Sequence, residues 1–143
     1  MKMERRRLGL VLAAAAVALE APRAAAAGVG TYLQAAALLL DEARKSSDFV
    51  NAHFGDPELA EIAHQLSEAR VKAGRTLTVS KEVERAHPHL LLTLETCERA
   101  MAAAVDREGT RFLRLLAQAR DEERTFRAVL TQQRLVMPEL DRR

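Results

Sequence analysis

Tryptophan is absent from this chain, and one Tyr and four Phe make up its aromatics. Stacking platforms for bases or sugars are therefore scarce. Cysteine occurs once, as Cys97, which excludes an intrachain disulfide framework and leaves the apolar core to hold the fold alone. A spanning helix needs roughly 20 apolar residues; the apolar run Leu8–Leu19 has 12, and Glu20 and Arg23 interrupt its extension. Beyond residue 27, Pro stands only at 57, 88 and 138, and Gly only at 28, 30, 55, 74 and 109. The long stretches between these breakers carry helical periodicity with no sustained strand alternation.

The first 27 residues have the order of an export address. Lys2, Arg5, Arg6 and Arg7 give a basic start, Leu8–Leu19 an apolar centre, and Ala24–Ala27 a small-residue end with an Ala-x-Ala pattern before Gly28. That order predicts a signal peptide over 1–27, cleaved after Ala27, and a periplasmic or secreted protein that meets the membrane only transiently. Of the 22 basic and 20 acidic residues, five and two lie in this segment, leaving 17 and 18 in residues 28–143. A net charge near −1 there argues against a nucleic-acid partner, which wants a clustered positive surface.

The remaining 116 residues suffice for one domain with a single core. Residues 28–137 read as an all-α, antiparallel up-down-up-down four-helix bundle built from two helical hairpins, with 138–143 as a short tail. The first helix, Thr31 to His53, places Tyr32, Ala36, Leu39, Ala43, Ser46, Val50 and His53 on one seam at 3,4 spacing. Gly55 then supplies a left-handed cap, Asp56 an N-cap, and Pro57 a first helical position where a missing N–H costs nothing. The second helix is expected to bury Leu59, Ile62, Leu66, Ala69, Ala73 and Leu77. The third starts at Pro88 and buries Leu90, Leu94, Cys97, Met101 and Ala104. A turn at Gly109-Thr110 leads to the fourth, which buries Phe112, Leu116, Ala119, Phe126 and Leu130. Leu92 lies opposite its helix's buried face, and Leu33, Leu40 and Phe54 widen the first helix's stripe, a surplus that marks either partner contact or a broad core stripe.

Four side-chain groups could carry chemistry. Glu61-x-x-His64 has the spacing of half a dimetal carboxylate site. With the second helix burying its large residues, however, His64 points roughly 170° away from the core, flanked by Glu61 and Glu68 on the solvent face. Glu84, His87 and His89 form a candidate surface metal site at the start of the third helix. Cys97 lies on a buried seam with no base beside it, as a small core residue does. Glu123 sits in the fourth helix's seam between Ala119 and Phe126, where a carboxylate must be paired or neutralised. Ser46, with Arg44 or Lys45 beside it, is expected to face it, as a polar contact fixing register or as a ligand-binding carboxylate.

Two short stretches are similar to known families. Ala63-His64-x-Leu66 resembles the signature of histidine phosphotransfer domains, but Ser67 and Glu68 replace its Lys and Gly. Leu130-Thr131-Gln132-Gln133-Arg134 resembles the Leu-Thr-x-x-Gln motif of periplasmic helical stress chaperones, with Arg134 in place of Gln. No phosphate loop and no ordered nucleophile, base and acid occur. The sequence thus predicts an exported, non-enzymatic bundle without a cofactor, acting by contact with a protein partner or with itself. Alternatives are a periplasmic metal-binding or metal-sensing bundle, and a small-molecule binder using Glu123.

Overall fold

A computed structural model describes residues 28–140; the predicted signal peptide and residues 141–143 lie outside them. Four helices follow one another: α1 (Gly28–Ala52), α2 (Pro57–Arg75), α3 (His87–Val105) and α4 (Gly109–Gln132). No strand occurs among the described residues. None of these helices is long and apolar enough to cross a membrane.

The turn between α1 and α2 follows from its three residues. Gly55 takes φ +103°, a conformation that a β-carbon would strain. The Asp56 carboxylate accepts the Leu59 N–H at 3.1 Å, and Pro57 opens α2. The connection over 77–86 ends in turns at 81–86 that bring Val83 and Ala86 into the core, both fully buried. These turns run directly into α3. The His87 N–H reaches the Val83 carbonyl at 3.0 Å, so α3 begins at His87 and not at Pro88. Pro88 sits within the first turn, where its missing donor has no cost.

The turn from α3 to α4 uses a different residue from the one expected. Arg107, not Gly109, takes the left-handed conformation at φ 57°. The Glu108 N–H returns to the Ala103 carbonyl at 2.9 Å and the Arg107 N–H to Ala104 at 3.1 Å, a Schellman-type closure. Gly109 already belongs to α4. The end of α4 repeats the pattern, with Arg134 at φ 58° and the Leu135 N–H on the Leu130 carbonyl at 2.9 Å.

Helix directions alternate. Tyr32 near the start of α1 meets His87 at the start of α3, so those two run parallel. Arg75 pairs with Glu95 and His64 with Glu98, which sets α2 antiparallel to α3. α3 touches all three other helices, and it is buried around most of its circumference by Leu90, Thr93, Leu94, Thr96, Cys97, Ala100, Met101, Ala103 and Ala104. α4 turns Phe112, Leu115, Leu116, Ala119, Glu123, Phe126 and Leu130 inward. The core has two parts: Tyr32, Leu40, Leu90, Leu94, Phe126 and Leu130 at one end, and Val50, Met101, Phe112 and Leu116 at the other. Leu135 and Met137, beyond α4, cover the first.

Two faces differ from the reading of the sequence. α1 buries Leu33, Ala37, Leu40 and Ser47 beside Tyr32, Ala36, Ala43 and Val50, whereas Leu39 and Ser46 are only half-buried and His53 is exposed. A strict 3,4 repeat drifts by about 20° per heptad on a straight helix, so it cannot describe one face over this length. The larger correction is α2. Its inner face is Ala60, Ala63, Ser67, Val71 and Gly74, while Ile62 and Leu66 are 56% and 50% exposed, and Ala69 and Ala73 are exposed too. Close approach explains the choice. α3 fills the interface with its own leucines, and a methyl group added at Gly74 would lie 2.8 Å from Leu94 Cδ1. At Gly74 no side chain fits beside that bulk, and the largest residue on the rest of the face is Val71.

Candidate functional site

The rotation of α2 re-aims His64. By helical geometry it lies roughly 60° from the centre of the small-residue face, not opposite the core. Its side chain is 20% exposed, and Nε2 lies 2.8 Å from Glu98 Oε1 on α3 and 3.2 Å from Glu68 Oε1 one turn further along α2. Among the described residues these three form a group whose ligand-type atoms all lie within 4.8 Å of one another. Expecting a large-residue core face turned His64 to solvent in the sequence reading; the small-residue face turns it towards α3. Glu61, in the first half of the Glu-x-x-His motif, is exposed.

The predicted metal group at the start of α3 is divided among different neighbours. His87 Nδ1 lies 2.8 Å from the Tyr32 hydroxyl on α1, with the rings edge to face. His89 Nδ1 turns to Glu122 on α4 at 3.5 Å, and Glu84 is exposed in the preceding turn. Burial lowers the His87 pKa and raises that of Tyr32, so both groups are held neutral and share one hydrogen bond. His87 is thus engaged by Tyr32 of α1 and not by His89 or Glu84.

Glu123 is 8% exposed. Its Oε2 accepts from Arg44 Nη2 of α1 at 2.6 Å and from Arg127 Nε at 3.3 Å. Of the two bases offered by sequence, Arg44 is the one in contact; Lys45 pairs with Asp41 at 2.8 Å. Ser47, not Ser46, turns inward, and its hydroxyl donates to the Ala43 carbonyl. α1 and α4 do not pack closely along their backbones. A cleft of about 1020 Å³ opens between them, with Leu40, Arg44 and Lys45 on one wall, Glu123 and Arg127 on the other, and Met137 and the tail residues Pro138, Glu139 and Leu140 at its edge. Cys97, buried beneath, has its thiol pKa pushed up to about 11, chiefly by burial. It stays protonated at neutral pH and is a poor nucleophile.

One surface feature is apolar. Leu59, Ile62, Leu66, Ala69 and Ala73 follow 3,4 spacing along α2 and form one stripe turned away from α3. Leu38 and Phe49 of α1, 48% and 53% exposed, share one side of that helix with Glu42. Arg70, which borders the α2 stripe, has its pKa lowered by burial, with the Glu42 carboxylate of α1 opposing the shift. Sequence reasoning found the stripe and assigned it to the wrong side of the helix wall. Of the residues that widen the α1 stripe, Leu33 and Leu40 belong to the core, as the broad-stripe alternative has it, and Phe54 is exposed. Compared with known proteins, the chain matches no family model, no curated protein and no solved structure.

Proposed function

We propose that this protein is a non-enzymatic helical-bundle module that works by protein–protein contact through the outer face of its α1–α2 hairpin. One observation carries this reading: Ile62 and Leu66 are half exposed on a 3,4-spaced stripe, while the same helix turns Ala60, Ala63, Ser67 and Gly74 to the core. Such spacing matches the seam by which one helix receives another. The fitting partner is a helix with an apolar stripe of its own, from a second protein or a second copy. Leu38 and Phe49 offer further exposed apolar area on the α1 side of the hairpin. The basic, apolar and small-residue order of residues 1–27 supports a periplasmic or secreted setting.

The test is site-specific photo-crosslinking in the producing cell. A crosslinker at position 66 is expected to give a discrete adduct that is absent when the crosslinker sits at Arg124, an exposed position on α4. An adduct of twice the chain mass identifies a second copy. Equal labelling from both positions, or none from position 66, sinks the reading.

A further inference from the structure

We propose that His64, Glu68 and Glu98 form a binding site for one divalent transition cation, with zinc as its natural probe. The α2–α3 seam carries two polar crossings, and they differ in kind. At one, Glu95 takes the guanidinium of Arg75 at 3.1 Å, an ordinary ion pair. At the other, one turn along α3, two carboxylates converge on a single imidazole nitrogen, Glu98 at 2.8 Å and Glu68 at 3.2 Å. No lysine or arginine among the described residues is ion-paired to either of these carboxylates. One Nε2–H can be aimed well at only one of the two oxygens. A cation in its place accepts the nitrogen lone pair and both oxygens together.

The dimensions suit that exchange. A tetrahedral zinc holds nitrogen and oxygen ligands at about 2.0–2.2 Å, which separates them by roughly 3.3 Å. The three atoms here lie 2.8 Å to no more than 4.8 Å apart, so small rotamer adjustments suffice. Ligands at i and i+4 of one helix share a face, and the third comes from the neighbouring helix, brought close by the small residues of α2. His64 and Glu98 are 20% and 28% exposed at the side chain, which leaves the seam open to an entering ion and to water as a further ligand. Glu61, one turn before His64, stands within the same helical run. Imidazole with carboxylates favours zinc, nickel or copper over magnesium or calcium.

Isothermal titration of the untagged full-length chain with zinc chloride, in a buffer that does not chelate, tests the site. One zinc per chain is expected, with a higher melting temperature in its presence. His64→Ala should abolish binding. Glu68→Gln, at a side chain 58% exposed and so harmless to folding, should weaken it at least tenfold. His89→Ala should leave the affinity unchanged. Absence of binding to the unaltered chain overturns the proposal, as does equal affinity in Glu68→Gln, or a loss that follows His89 instead. Because these residues stand apart from Ile62 and Leu66, failure here leaves the contact surface untouched.

Discussion

At the scale of single residues, Glu123 shows how unequal the two ends of an ion pair can be. The carboxylate side chain is 11% exposed, whereas that of Arg44 is 58% exposed. Removing the arginine leaves a buried charge with only the longer contact to Arg127. Removing the carboxylate lets Arg44 return to water. Arg44→Ala should therefore cost roughly 1–2 kcal/mol, while Glu123→Leu should be close to neutral or stabilising. Urea unfolding of the two variants checks the order; a larger loss in Glu123→Leu contradicts it. The position of Glu123 was legible in sequence because a lone carboxylate interrupted an apolar seam. His64 was not, because its direction depends on which face of α2 is inside.

At the scale of helices, size and spacing carried different information. α3 and α4 bury the residues their periodicity indicates, and α3 buries Thr93, Thr96, Ala100 and Ala103 besides. α2 has two stripes, one large and one small, and hydrophobic weight alone favours the large one. What decides is the volume already filled by Leu91 and Leu94 of α3, which a single-helix pattern cannot contain. The turns show the same limit. Gly55-Asp56-Pro57 reads clearly because each residue suits its conformation, whereas Arg107 holds a left-handed cap that favours glycine. An L-residue pays roughly 1 kcal/mol or more there. Arg107→Gly should thus raise stability by about 0.5–1 kcal/mol, visible as a rise of a few degrees in melting temperature. An unchanged or lower value would show that the arginine side chain contributes more than its backbone costs.

At the scale of the whole molecule, three different surfaces arise from one packing solution. α3 is the hub, and the small face of α2 lets it come close enough to bring His64 to Glu98. The same rotation places the large residues of α2 outside. On the far side, α1 stays apart from α4 and is tied to it by Arg44–Glu123, which leaves the cleft beneath the C-terminal tail. The bundle class and the directions of its helices were legible from breakers and periodicity. The surfaces were not, because they depend on how whole helices choose among their faces. The central claim is that the large apolar residues of α2 lie outside the core, where the proposed contact needs them. Its most direct test is the unfolding free energy of the isolated chain carrying Ile62→Lys and Leu66→Lys together. Exposed positions predict a combined change within about 1 kcal/mol. A loss of roughly 4 kcal/mol or more, as truncating two core residues gives, would contradict it.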